Sequence, residues 1–96
     1  MKFIGFWEYC PEDIDKVIEK FKKMTAEREK GTEKYPKLVF GPYTMFEESK
    51  GFSIFETDDP DQLTNTWIHY MPEMKWKFVL IQESTRTSEL YLKSKK

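Results

Sequence analysis

The chain has one histidine, His69, and one cysteine, Cys10. Histidine and cysteine are side chains that often take part in proton transfer or act as nucleophiles. Histidine exchanges protons near neutral pH, so His69 is the general-base candidate if the protein is an enzyme. Cys10 stands where a helix is predicted to begin, but no second cysteine accompanies it, and we expect an inert, partly buried thiol. A structural zinc site needs a larger set of ligands. We therefore predict neither a metal nor a cofactor.

Three aspartates, Asp58, Asp59 and Asp61, lie close together around Pro60. Their carboxylates could bind a cation, but their order is that of a helix start. Asp59 is predicted to be the N-cap, Pro60 takes the first helical position, and Gln62 stands where a capping box has its glutamate or glutamine. We interpret the group as a cap rather than as a metal site.

Aromatic residues make up 17% of the chain, with three tryptophans, eight phenylalanines and five tyrosines. Aromatic side chains carry large buried areas and are enriched in pockets and interfaces. A ligand cavity or a partner surface is therefore indicated, while a small core filled with large side chains is the alternative explanation.

The length and charge of the chain restrict the classes of function. Ninety-six residues suffice for one domain. Lysine and arginine number 16 against 17 aspartates and glutamates, so no strong field attracts nucleic acid or anionic lipid. No apolar run approaches the length of a membrane span, and the single cysteine suits a reducing compartment. We expect a cytoplasmic protein with no nucleic-acid or membrane partner.

Apolar spacing predicts strands at residues 2–9, 37–46, 52–56 and 75–82. A first helix is predicted from Cys10-Pro11 to about Gly31, and a second from Asp59 to just before Pro72. Pro42 cannot donate a hydrogen bond within a sheet, so the second strand is predicted to lie at an edge. The tail, residues 85–96, fits either a short helix or an edge strand, and its last residues, 93–96, are expected to be mobile.

The order β-α-β-β-α-β predicts an α+β fold of the ferredoxin-like type, with a four-stranded antiparallel sheet and both helices on one face. The first strand is apolar on both of its sides, and so is the fourth. Two helices cover one side only, so a second copy of the chain is expected to cover the other in a homodimer. The domain is assigned to residues 1–84, and residues 85–96 form a C-terminal extension.

Residues 51–63, Gly-Phe-Ser-Ile-Phe-Glu-Thr-Asp-Asp-Pro-Asp-Gln-Leu, describe a strand that ends in glutamate and runs into a capped helix. With this segment and the order of its elements, the chain resembles the dimeric α+β barrel superfamily over nearly its whole length, and most of all small uncharacterised prokaryotic members. The resemblance implies two sheets packed face to face and a pocket between sheet and helices. The candidate pocket residues are Trp7, Tyr9, Trp67, Tyr70 and Trp76.

Members of that superfamily include cofactor-free monooxygenases acting on aromatic polyketides, small isomerases and haem enzymes, so the resemblance does not fix a chemistry. Monooxygenase relatives often carry a histidine soon after the first apolar residues of the second helix, whereas His69 lies well beyond Leu63. It also points about 130° away from the apolar stripe of that helix, at 100° per residue. We expect His69 at the surface or the dimer edge rather than as a buried base or a haem ligand.

An RNA-binding RRM shares this order of elements, and Lys50-Gly51-Phe52 matches the start of its third-strand motif, but Ile54 stands where a second stacking aromatic belongs. The sequence therefore predicts a homodimer that binds a small, largely apolar or aromatic ligand. A cofactor-free monooxygenase or isomerase is the enzymatic alternative, and an RRM-like module is a further one. Nothing in the sequence identifies the ligand.

Overall fold

The computed structural model describes residues 1–95, which form one sheet and three α-helices. The strands are β1 (Lys2–Tyr9), β2 (Lys37–Thr44), β3 (Lys50–Glu56) and β4 (Met74–Ile81). The helices are α1 (Ile14–Glu29), α2 (Pro60–Tyr70) and α3 (Ser84–Ser94), and a short 3-10 turn (Pro11–Asp13) precedes α1.

All strand pairs are antiparallel, and the sheet order is β2-β3-β1-β4. The predicted α+β class and four-stranded antiparallel sheet are confirmed. Strands β2 and β4 form the edges, so the proline of β2 lies where a missing N–H costs least.

Strand β2 is irregular in its middle and ends earlier than predicted. The pairing of β2 with β3 shifts register between Leu38 and Phe40 and again between Phe40 and Tyr43. Gly41 lies at the second of these shifts. Its φ of +91° is a backbone conformation that glycine adopts without steric cost. The strand ends at Thr44 rather than at Phe46 because residues 45–49 turn into β3.

Two details of the helix starts differ from the sequence-based expectation. The turn over Pro11 is a 3-10 turn with no side-chain cap, so the α-helix begins only at Ile14. At α2, Asp59 caps as predicted, accepting from the Asp61 N–H at 2.9 Å. The prediction of a capping box is wrong, because the Gln62 side chain does not accept from the Asp59 N–H. The hydroxyl of Thr57 instead accepts from the Asp59 N–H at 2.9 Å and donates to the Gln62 amide oxygen.

The sheet has two unlike faces. Residues on one face, including Trp7, Phe55 and Trp76, point at α1 and α2 and form the core with them. The opposite face, which we call the open face, carries cross-strand rows of side chains. Its two central rows are Phe40, Ile54, Ile4 and Val79, and Tyr43, Phe52, Phe6 and Lys77; its end rows are Lys37, Glu56, Lys2 and Ile81, and Lys50, Glu8 and Lys75. A largely apolar band, with Lys77 at its β4 end, thus lies between charged rows.

Two glycines make room for the aromatic core. A Cβ on Gly5 would lie 2.9 Å from the Trp76 ring and 3.0 Å from the Phe55 ring, so these rings pack directly on the backbone of β1. A Cβ on Gly51 would lie 2.5 Å from the ring of Trp7. The tryptophans reach their positions only because both strands lack a side chain there.

Helix α3 lies apart from the rest of the fold. Every described residue of the chain from Gln82 onward is exposed, and α3 has few contacts with the other elements. The radius of gyration is 15.7 Å, compared with about 12.5 Å for a compact domain of this length. The tail is therefore helical, including Lys93 and Ser94 of the segment predicted to be mobile, while Lys96 lies outside the described residues.

Within residues 1–95 no helix combines the length and the apolar character that crossing a membrane requires.

Candidate functional site

A cavity of about 170 Å³ lies between the core face of the sheet and the two helices α1 and α2. Its walls are mainly aromatic and aliphatic. The lining residues are Trp7, Tyr9, Val17, Ile18, Phe21, Met24, Arg28, Leu38, Pro42, Thr44, Ser53, Phe55, Thr66, Tyr70, Met74 and Trp76. Val17 and Met24, the buried residues of α1, line the cavity from the helix side.

The cavity opens between α1 and the edge strand β2. Ile18 and Phe21 line it from α1 and are 44% and 38% exposed. Pro42 and Thr44 line it from β2 and are also exposed. Apolar side chains that face both a cavity and solvent mark its mouth, so a small molecule has a direct route inward at this point.

Four of the five pocket residues named from the sequence meet at this cavity: Trp7, Tyr9, Tyr70 and Trp76. Trp7 stacks on Tyr9 with ring centroids 6.1 Å apart, and Tyr70 lies against Trp76 at 5.6 Å. Trp67 is absent from the lining and is 43% exposed. The buried residues of α2 are Leu63, Thr66 and Tyr70, and Trp67 is not among them.

Arg28 was not singled out in the sequence and is the charged residue of the cavity. Its Cζ lies 5.8 Å from the centroid of the Phe55 ring. Its Nε and Nη2 atoms are buried and lack a hydrogen-bond partner. The same holds for Nε1 of Trp76. Desolvation lowers the pKa of Arg28, although the nearby oxygens of Tyr70 and Tyr35 oppose that effect. Unsatisfied buried donors are rare and costly, so these three atoms call for a physical explanation.

Tyr70 supplies a phenol to the same cavity. Burial raises the pKa of Tyr70 to about 12, while Arg28 acts in the opposite direction. The side chain therefore remains a neutral phenol throughout the physiological range, and it contributes an O–H group rather than a base.

His69 is half-buried and lies outside the cavity lining. Its Nε2 is 2.7 Å from the carbonyl oxygen of Lys20, and its Nδ1 is 3.3 Å from the hydroxyl of Tyr35. A carbonyl oxygen only accepts, so Nε2 carries the proton and Nδ1 accepts from the tyrosine. Both ring nitrogens are engaged, and the histidine joins α2 to α1 and to the segment before β2.

The remaining candidates from the sequence are dispersed. Cys10 is exposed, which corrects the expectation of a partly buried thiol. Asp59 caps α2, and Asp58 pairs with the N-terminal ammonium group at 2.8 Å. Residues 1–95 contain no cluster of three or more histidine, cysteine, aspartate or glutamate side chains able to hold a metal ion.

The model of a protein family described as a domain of unknown function, DUF3303, matches residues 1–95. The chain belongs to this family. Searches of the curated proteins and of the solved structures found no significant match. The DUF3303 family model extends over the sheet, the cavity-forming helices and α3 alike.

One sequence signal could have identified Arg28 in this DUF3303 chain. It lies four residues beyond Met24, so it continues the stripe that begins with Val17 and Phe21. A charge on the apolar stripe of a helix is unexpected.

Proposed function

We propose that this protein is a homodimer that binds a small, largely apolar or aromatic molecule in the cavity between the sheet and α1 and α2. The cavity is the observation that carries the proposal. Apolar cavities of about 150 Å³ in proteins are large enough to admit benzene, and the space here is about 170 Å³. Its mouth and its aromatic walls suit a planar guest.

Binding of neutral aromatic probes tests the ligand part of this proposal. Indole and toluene are expected to raise the thermal unfolding temperature and to perturb the fluorescence of Trp7 and Trp76, which line the cavity. Ser53→Leu points a larger side chain into the same space and should abolish both effects. Thr64→Leu on the exposed surface of α2 is the matched control. Binding that persists in Ser53→Leu would contradict the proposed site.

The open face supports the homodimer. Its apolar band includes Phe40, Tyr43 and Val79, which are 47%, 51% and 37% exposed. The end rows carry both signs of charge, with Glu56 beside Lys2 and Lys37 in one row and Glu8 between Lys50 and Lys75 in the other. A surface with an apolar centre and mixed charges at both ends is self-complementary under a two-fold axis.

The area of the open face explains why α3 belongs to the same interface. Strands of seven or eight residues in a four-stranded sheet give a face of about 26 Å by about 19 Å, or about 500 Å². A stable dimer buries about 800 Å² on each partner. Helix α3 begins beside a groove on this face, lined by Lys2, Phe40, Ile54 and Glu83 among others, and its Leu90 and Leu92 are 45% and 63% exposed. We infer that α3 supplies the remaining area by packing on the second copy.

The open face also has features of a nucleic-acid platform, since aromatic side chains and lysines occur together on it. Two of its lysines are paired with acids outside the face, Lys2 with Glu83 and Lys50 with Glu48, each at 3.7 Å. Together with Glu8 and Glu56 these acids offset most of the positive charge. We therefore favour a second copy of the chain over RNA as the occupant.

Native mass spectrometry on the purified chain tests the assembly and also reveals any retained small molecule. A dimer supports the proposed interface, and an additional mass identifies a ligand to pursue. A monomer that binds single-stranded RNA in a salt-dependent manner would instead favour the RRM-like alternative. A monomer without such binding would also contradict the homodimer.

We propose binding rather than catalysis because no histidine, aspartate or glutamate lines the cavity of the described chain. The monooxygenase or isomerase alternative would need Arg28 and the neutral Tyr70 to act on the substrate. Turnover of a bound aromatic compound, measured as oxygen consumption or as product formation, would favour that alternative.

A further inference from the structure

Arg28 occupies an arrangement that a purely structural arginine rarely has. It comes from the last turn of α1 and lines the cavity, and within residues 1–95 it forms no ion pair. Two of its nitrogens are buried without an acceptor. Arg28 as a whole is half-buried, and taking part of a guanidinium group out of water without an anionic partner costs stability. Its position is understandable if the partner is a molecule that binds in the cavity.

Trp76, which lines the cavity from the sheet, also has a buried donor without an acceptor. Its ring stacks on Phe78 with centroids 5.3 Å apart and contacts Phe55, the ring over which Arg28 lies. Its Nε1 is buried and unpaired. Arginine and tryptophan side chains donate hydrogen bonds and accept none. Their unpaired atoms therefore select a guest with acceptor oxygens.

The geometry points to a single-ring aromatic carboxylate as the ligand class of this cavity. We infer that the carboxylate accepts from Arg28 and from Nε1 of Trp76, while the ring packs among Trp7, Met24 and Phe55. A carboxylate matches the fork of N–H donors on the guanidinium group of Arg28. The volume of the cavity limits the apolar part of the ligand to about one ring. This inference rests on the proposed binding function and adds the charge and size of the ligand.

The charge preference is tested by titrating the full-length protein with matched pairs of ligands. Benzoate and phenylacetate are the anionic probes, and benzamide and 2-phenylethanol are their neutral counterparts of similar size. We expect the carboxylates to bind about tenfold more tightly or better, since a charged hydrogen-bonded contact is worth that much. Calorimetry and tryptophan fluorescence should agree.

Three variants assign the preference to its residues. Arg28→Met keeps the length of the side chain and removes the charge, so it should lower carboxylate affinity to that of the neutral probes, whose own binding is retained. Arg28→Lys should recover part of the preference, because a lysine keeps the charge but not the fork. Trp76→Phe should weaken the carboxylates several-fold. Arg86→Met, at the only other arginine, is the matched control and is exposed on α3.

Thermal unfolding without ligand gives an independent readout. If Arg28 is kept for a ligand, Arg28→Met should unfold at a higher temperature than the wild type, because an unpaired and partly buried charge is lost. A structural arginine predicts the opposite shift. A destabilised Arg28→Met, or a charge preference that survives this substitution, would overturn the inference.

The two proposals fail in different ways. If neutral and anionic probes bind equally well to the wild type, the cavity is a ligand site but the carboxylate inference is wrong. If no aromatic probe binds at all, the binding function and the inference that rests on it are both contradicted.

Discussion

The hydroxyl of Tyr35 lies 3.3 Å from Nδ1 of His69, and the other nitrogen of this ring bonds to the backbone of Lys20. The only histidine of the chain thus connects three segments. We expect His69→Ala to lower the free energy of unfolding by about 1–3 kcal/mol, since two hydrogen bonds are lost. Denaturant unfolding measures this change.

Binding of aromatic probes separates this structural role from a catalytic one. His69 does not line the cavity, so His69→Ala should bind indole with wild-type affinity. Loss of probe binding in a variant that still folds would show that the histidine belongs to the site after all.

A second contact between α1 and the segment after α2 makes stability depend on pH. Lys20 bonds to the Glu73 carboxylate and to the carbonyl oxygen of Met71, and the bond from Lys20 lowers the pKa of Glu73 below its ordinary value of 4.5. The folded state therefore binds fewer protons than the unfolded state at acidic pH. This contribution to stability is present above pH 4.5 and is lost as the pH falls through the lowered pKa.

Glu73→Gln should remove that part of the acid sensitivity, measured as the free energy of unfolding between about pH 7 and about pH 3. Glu19→Gln is the control, because its pair with Lys23 is exposed on one turn of helix and contributes little. Equal pH profiles for the wild type and Glu73→Gln would contradict the assignment.

A Cβ on Gly51 would lie 2.0 Å from the carbonyl oxygen of Tyr43 and 2.5 Å from the ring of Trp7, so a side chain at this glycine must displace both. We expect Gly51→Ala to cost about 1–3 kcal/mol, as overpacked cores do. The tryptophan fluorescence should change at the same time, since Trp7 lines the cavity.

Gly31→Ala is the matched control for this substitution. Nothing lies within 4 Å of a Cβ at Gly31, and only its φ of +83° resists a side chain. Its cost should be about 1–2 kcal/mol, with an unchanged tryptophan spectrum. Spectral changes of equal size in both variants would argue against the position of Trp7.

Val79 lies in the apolar band of the open face and is partly exposed in the single chain. Val79→Lys should leave the monomer folded and raise the dissociation constant of the proposed dimer about a hundredfold or more, because two lysines would be buried without partners. Sedimentation or native mass spectrometry over a range of concentrations measures this effect.

Ile68→Lys is the comparison for that experiment. Ile68 is an exposed aliphatic residue of α2, away from the open face. It should not change the association of subunits. A dimer that tolerates Val79→Lys as well as Ile68→Lys would exclude the open face as the interface.

The sequence by itself determined the local elements. The run of apolar residues in alternation predicted strand β1, and Asp59 with Pro60 predicted the start of α2. Pro42 predicted that β2 lies at an edge of the sheet. These are effects of neighbouring residues, which act on the backbone over a few positions. The secondary structure of the tail could not be predicted in this way, because Leu90, Tyr91 and Leu92 suit a strand or a helix equally well. Helix α3 also has few tertiary contacts.

Only the tertiary structure decided which side chains form the site. Tyr70 and Trp67 of α2 were both predicted to line the pocket, but packing against β4 buried the first and left the second 43% exposed. Arg28 and Trp76 are far apart in the chain and line one cavity because α1 packs on the same face of the sheet that carries Trp76. Cavities, unpaired donors and an uncovered sheet face arise from how elements meet in space, and spacing along the chain does not encode that.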